Sequence, residues 1–215
     1  MLVSADAPAR GYFIAFEGGE GAGKSTQEAL LAQGLGSRGW RLVRTREPGG
    51  TPAAEAIRSV VLSPQYEGLD ARAEALLFAA ARGEHAARVI RPALERGDVV
   101  ICDRYVDSSV AYQGYGRDLG ARKVRDLSMW ATGHLVPDLT VVLDVNPEIG
   151  LARLSNRDRL EAEPLAYHQA VRDAFLEIAS ADPSRYLVLD ATEDVDGLAA
   201  AILARVLHEL ERRPS

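Results

Sequence analysis

The octet Gly18-Gly19-Glu20-Gly21-Ala22-Gly23-Lys24-Ser25 carries the clearest chemistry in this chain. Its glycines let backbone N–H groups turn inward and approach phosphate oxygens with no Cβ in the way. Lys24 at that spacing reaches the β- and γ-phosphates of a nucleotide, and the Ser25 hydroxyl can ligate Mg²⁺. An apolar run over 12–17 precedes the octet and a helical pattern follows it, which is the context this phosphate loop requires. The phosphates would lie at the positive end of that helix. Gly18, Gly19, Glu20, Gly21, Ala22, Gly23, Lys24, Ser25 and Thr26 are therefore the expected ATP-binding segment. An ordinary glycine-rich turn that holds nothing is the competing reading, and the filled fixed positions weigh against it.

Phosphoryl transfer needs further parts: an acidic group near the metal, cations for the transferred group, and a segment that closes over it. Asp103, just after the apolar run Val99-Val100-Ile101-Cys102, suits the first, and Arg104 beside it could bridge the phosphates of two substrates. A solvated pair capping a strand is the alternative reading. The stretch 153–161 holds Arg153, Arg157 and Arg159 between two helical segments. It is either a charged surface loop or a mobile lid delivering guanidinium groups, whose fork of donors matches phosphate oxygens. A guanine-nucleotide switch is disfavoured, because neither Asn146 nor Asn156 lies in a base-reading Asn-Lys-x-Asp stretch.

A scaffold must bring these residues together. Apolar runs predict strands over 12–17, 41–46, 99–102, 139–143 and 186–189. Helical patterns predict helices over 24–35, 52–62, 108–113, 121–132, 147–154, 165–179 and 195–212, and one long helix over 70–95 kinked by Pro92. Residues 63–69 read as a loop. Strands alternating with helices, with no linker between them, give an α/β domain of three layers. The expectation is a five-stranded parallel sheet flanked by helices, the P-loop kinase fold. Residues 11–213 form the expected domain, 1–10 a loose tail, and 154–165 the lid. Ligands in such a fold sit beyond the carboxyl ends of the strands. Glu17, Glu20, Arg46, Glu47, Asp103, Arg104 and the residues after Asp190 gather there.

Composition sets outer bounds. The chain has 215 residues, 47% of them hydrophobic, enough for one sizeable core. A net charge of −6 disfavours a general nucleic-acid binder. No apolar stretch approaches the roughly 18 residues of a membrane span, and no secretory leader is evident. The lone cysteine, Cys102, reads as core. The expected location is the cytosol.

With the phosphate loop, Arg46-Glu47-Pro48-Gly49-Gly50-Thr51, Asp103-Arg104-Tyr105 with Ser108-Ser109 and Tyr112-Gln113, and the arginine-rich stretch in this order, the chain closely resembles the thymidylate kinase family. The resemblance runs from about residue 12 to 211 and implies phosphorylation of dTMP to dTDP by ATP with Mg²⁺, within dTTP biosynthesis. It implies roles residue by residue. Glu20 would meet the 3′-hydroxyl of dTMP, Arg58 its phosphate, Phe78 the face of thymine, and Arg82 an exocyclic oxygen of the base. Ser109 would be a polar contact to the base, and Tyr112 the ring under the sugar where a 2′-hydroxyl would clash. Arg46, Pro48, Ser108 and Gln113 complete the expected substrate set. Arg104 would lie between the two phosphate sites, and Thr192 would flank adenine. Without the family, Phe78 reads as core and Arg82 as solvated. Some members carry an arginine in the phosphate loop where this chain has Gly21, and lack lid arginines. This chain has the opposite arrangement, with Arg157 and Arg159 expected on the γ-phosphate and Arg153, also counted with the ATP-binding residues, at a helix end. Catalysis would then rest on Lys24, Arg104, Arg157, Arg159 and Asp103, with Ser25 and Asp103 at the metal. The proline of Glu161-Ala162-Glu163-Pro164 departs from the family pattern and reads as a helix start. The family also implies a homodimer built through helices.

Overall fold

The structure is a computed structural model that describes residues 10–155 and 158–213. Five strands, β1 Tyr12–Gly18, β2 Leu42–Arg46, β3 Val99–Asp103, β4 Leu139–Asp144 and β5 Tyr186–Asp190, form one all-parallel sheet in the order β2-β3-β1-β4-β5. Every residue of β1 is buried, which explains its unbroken apolar run. Its side chains alternate: Phe13 and Ala15 enter one core, Tyr12, Ile14 and Phe16 the other. The second core is covered by α1 (Lys24–Gly36) and α9 (Val195–Glu211), through Leu31, Leu35, Ile202 and Val206. The opposite face carries α3 (Ala71–His85), α4 (Arg91–Glu95) and α8 (Leu165–Ser180). Three layers result, as the alternation of elements requires.

Helix α2 (Pro52–Val61) starts as its sequence dictates, with the Thr51 hydroxyl accepting from Ala54 N–H and Pro52 at the first helical position. The long helix expected over 70–95 is α3 and α4 joined by a wide turn at Ala86–Ile90. Pro92 has no N–H to give and its ring crowds the preceding turn, so the backbone widens ahead of it. Helix α5 (Val106–Ser109) runs into a second wide turn, Val110–Gly116, and the two together outrun the helix expected over 108–113. Helices α6 (Ala121–Ala131) and α7 (Pro147–Ala152) keep the expected starts. A short 3₁₀ turn, Pro64–Tyr66, interrupts the stretch read as loop. Pro164 immediately precedes α8, as its proline suggested.

Register places the chemistry. Arg46 of β2 and Phe16 of β1 both pair with Asp103, so Arg46, Glu17 and Asp103 leave the sheet at one level. Sheet order reverses at β1, between β3 and β4, and the crevice at that switch point opens where the glycine-rich loop begins.

Candidate active site

Gly18, Gly21 and Gly23 adopt positive φ angles of 134°, 65° and 89°. Gly21 is fixed by packing as well. A Cβ there would lie 2.1 Å from the carbonyl oxygen of Gly150 in α7. An arginine side chain therefore has no room at Gly21 while α7 stays in place. Lys24, 8% exposed, donates from Nζ to the carbonyls of Gly18 and Gly19 at 3.1 and 3.0 Å, so its ammonium is held inside the loop. Burial, with Arg104 nearby, lowers its pKa. Ser25 is exposed at the first turn of α1.

Arg104 adopts φ +65°, a conformation that costs a non-glycine residue about 1–2 kcal/mol. The strain turns its side chain back across the sheet. The guanidinium donates to Gly18 O at 3.1 Å, Ser108 Oγ at 3.2 Å and Glu20 Oε1 at 2.8 Å, and lies 5.0 Å from the centre of the Tyr112 ring. Tyr112 donates its hydroxyl to the same Glu20 oxygen at 2.5 Å. Burial alone would raise the Glu20 carboxyl, but Arg104, Lys24 and this hydroxyl outweigh it and hold the pKa down to about 2. Glu17 supports the turn from beneath. It accepts from the N–H groups of Tyr105 and Ser108 and from Ser108 Oγ. Burial, reinforced by Asp107, still pushes its carboxyl up to about 7.

A cleft of about 220 Å³ runs from Lys24, Asp103 and Arg104 to Phe78 and Arg82. Of the expected substrate residues, Glu20, Pro48, Arg58, Phe78, Arg82, Arg104, Ser108, Ser109, Tyr112 and Gln113 all line it. Arg46 does not: it is exposed and turned to Glu55 at 3.1 Å. Arg58 donates to Pro48 O at 2.9 Å and Gln113 to Glu74 at 2.8 Å. Thr192 closes a tight turn on Asp190 after β5. Asp103 Oδ1 is buried and has no hydrogen-bond partner among the described residues. With the Ser25 hydroxyl it offers the oxygen donors that Mg²⁺ prefers, so these two residues fit such an ion.

The arginine-rich stretch corrects one expectation. Arg159 does not face the phosphate loop. It is 7% exposed, donates through Nε and NH2 to Val61 O at 2.9 and 2.8 Å, and pairs with Glu74 at 2.6 Å. A fully buried carboxylate lies on that side of the chain, and the guanidinium follows the charge. Arg153, expected both to end a helix and to belong to the ATP-binding set, caps the C-terminus of α7 and donates to Gly21 O at 2.8 Å. Arg157 lies outside the described residues. Asp158, Leu160 and Glu161 of this stretch line the cleft, a role its arginine pattern does not signal.

Glu28 is a buried carboxylate that no sequence motif marks. It lies one turn after Lys24 on α1, 5% exposed, and its Oε1 has no hydrogen-bond partner among the described residues. Burial and the Asp103 charge push its carboxyl up to about 8. The folded state therefore keeps a proton that the unfolded chain releases near 4.5, and stability falls as pH rises from about 4.5 to 8. Glu28→Gln removes that dependence. Its unfolding free energy relative to wild type should rise by about 2–4 kcal/mol between pH 4.5 and 8.5, read by denaturant melts. A difference that stays flat with pH would exclude it.

The parallel sheet, the loop at its switch point and the cleft that runs from it define a P-loop kinase. The thymidylate kinase family model matches residues 16–202. The thymidylate kinase of Leifsonia xyli subsp. xyli is 53% identical over 200 residues, covering 91% of this chain and 94% of that one. That of Pseudomonas fluorescens is 52% identical over 205 residues, covering 94% and 98%. The crystal structure of thymidylate kinase from Ehrlichia chaffeensis superposes with a TM-score of 0.76 at 33% identity, covering 92% of this chain and 99% of that one. The chain belongs to the thymidylate kinase family.

Proposed function

We propose that the chain transfers the γ-phosphoryl group of ATP to the phosphate of dTMP, giving ADP and dTDP on the route to dTTP. The observation that carries this reading is Arg104, which binds the phosphate loop at Gly18 and, with Glu20 and Tyr112, lines the cleft that runs from the loop to Phe78 and Arg82. A phosphate oxygen of dTMP attacks the γ-phosphorus, the bond to the bridging oxygen breaks, and ADP leaves with that electron pair. The nucleophile is already anionic, so positioning and charge neutralisation by Lys24, Arg104 and Arg153 do most of the work. Asp103 and Ser25 would hold Mg²⁺, which neutralises phosphate charge when bound. Arg58 would hold the dTMP phosphate, Phe78 and Arg82 the base, and Thr192 would flank adenine. The described residues of 154–165 act as the lid of one kinase domain spanning 11–213; the tail expected over 1–10 lies outside the described residues except for Arg10, as do Asn156 and Arg157 of the lid.

Tyr112 would exclude ribose. Its ring is 4% exposed and packs edge-on against Tyr167 and Phe175, so it cannot swing away. Tyr112→Ala should narrow the preference for dUMP over UMP, which differ only at the 2′ position, by about tenfold in kcat/KM. An unchanged ratio would remove the role.

The homodimer implied by the family would use α3 and α6, which pack together and leave Leu76 and Trp130 57% and 79% exposed. Light scattering should give twice the chain mass. No helix among the described residues is long and apolar enough to cross a membrane. We place the work in the cytosol, without nucleic-acid partners. The deciding experiment is a monophosphate panel with ATP and magnesium, read by product mass. dTMP should be the best acceptor. No dTDP above a no-enzyme control would end the proposal, and a better acceptor would replace its base pocket.

A further inference from the structure

Arg82 is 2% exposed and held on several sides. Nε donates to Glu47 Oε2 at 2.6 Å, one terminal nitrogen to Ser128 Oγ at 3.0 Å and the other to Ser109 Oγ at 2.9 Å. Serine hydroxyls rotate to suit their partners and aim nothing by themselves. The charged partner is Glu47, so the direction of the guanidinium depends on how firmly that carboxylate is fixed.

The other oxygen of Glu47 lies 3.0 Å from His85 Nδ1, and His85 Nε2 lies 2.6 Å from Thr45 Oγ1. His85 has no exposed surface and does not line the cleft. The tautomer that satisfies every group has the Thr45 hydroxyl donating to Nε2 and Nδ1–H donating to Glu47. A carboxylate tied through one oxygen can turn about its last bond; one tied through both cannot. The Gly-Gly turn is shaped around this ring. Gly50 sits at φ +84°, and a Cβ there would come within 2.5 Å of His85 Cδ2. The string Arg46-Glu47-Pro48-Gly49-Gly50-Thr51 thus supplies both the carboxylate and the space that the imidazole needs.

We propose that His85 is a positioning residue for the nucleobase: through Thr45, His85, Glu47 and Arg82 in series it fixes the guanidinium fork that reads the exocyclic oxygen of the pyrimidine, without touching the nucleotide. The inference rests on the assignment of Arg82 to the base. Supporting groups of this kind hold a contacting side chain to the geometry that binding needs.

The test compares dTMP with a pyrimidine deoxynucleoside monophosphate lacking the exocyclic oxygen that Arg82 meets. His85→Leu removes Nδ1–H and keeps apolar bulk, whereas His85→Asn retains an amide N–H close to the Nδ1 position. His85→Leu should raise KM for dTMP about tenfold, leaving KM for ATP and kcat within about twofold. His85→Asn should recover most of that loss. With the analogue, wild type and His85→Leu should have equal KM. A purely structural role would move both KM values, or raise KM for dTMP and the analogue alike, and either result overturns the proposal. Unchanged KM for dTMP in a folded His85→Leu also overturns it. Should that variant fail to fold, Thr45→Val leaves the ring in place and frees only Nε2. Its KM for dTMP should rise by about threefold, again with no change for the analogue, and no rise overturns the proposal. A wild-type enzyme indifferent to the missing oxygen would bring down the assignment of Arg82 and this inference together. A discriminating wild type beside an equally discriminating His85→Leu would bring down this inference alone.

Discussion

Arg104→Ala is expected to lower kcat by about 10³–10⁵-fold, the range that catalytic arginines supply in phosphoryl transfer, or about 4–7 kcal/mol. Arg104 is the side chain that ties the phosphate loop, through Gly18 O, to the cleft, through Glu20 and Ser108. Its positive φ shows that the backbone is held in an unfavourable conformation to aim it there. The loss should fall on kcat more than on KM for ATP, because Lys24 and the loop amides remain. Arg104→Lys keeps a charge but loses the fork, and the side chain could then serve Glu20 or the phosphates but not both. It should recover only a small part of the rate. A second consequence is electrostatic. Arg104 is the largest of the influences holding the Glu20 carboxyl down to about 2, so its removal should raise that pKa and add an acid-side inflection to the rate profile. Steady-state kinetics across pH check both. A kcat within tenfold of wild type, with no new inflection, would remove Arg104 from the transfer step.

The phosphate loop was legible because its chemistry is local. Positive φ at Gly18, Gly21 and Gly23 and the lysine that follows belong to one short segment, and spacing alone specifies them. The strand order was not written in the same way, but the unbroken apolar runs identified the buried strands that carry Glu17 and Asp103 to one level. What could not be read is what depends on a partner far along the chain. Glu47 stands inside a diagnostic string, yet its partners Arg82 and His85 are 35 and 38 residues away, so nothing nearby shows what the carboxylate does. Glu28 carries no signal beyond lying one turn from Lys24, and its burial becomes visible only once α1 packs on β3. Arg153 and Arg159 are equivalent in composition. Arg159 follows the buried Glu74 carboxylate of α3, whereas Arg153 finds a backbone carbonyl of the phosphate loop, and neither partner lies near it in sequence.

Arg159→Ala is therefore expected to act on stability rather than on phosphoryl transfer. Glu74 of α3 is fully buried and accepts from Arg159, Arg117 and Gln113, while Arg117 also reaches Glu163 at 2.6 Å. These contacts tie 158–163 to α3 and to the Val110–Gly116 turn. Removing one partner of a buried pair costs about 3–5 kcal/mol, because the remaining charge is left in a poorly solvated place. Arg117 stays at 3.3 Å and limits the loss, which points to the lower half of that range. For a chain of this length that corresponds to a fall in Tm of about 6–16 °C. Below the transition, kcat should stay within about threefold of wild type, since the guanidinium bonds Val61 O rather than the phosphate loop. Arg153→Ala should do the reverse, with an unchanged Tm and a strongly reduced kcat, because its contact is to Gly21 O of the loop itself. Melting curves and turnover measured on both variants separate the two roles. An unchanged Tm beside a collapsed kcat in Arg159→Ala would return that arginine to the transferred phosphate and make its pairing with Glu74 a resting position of the lid.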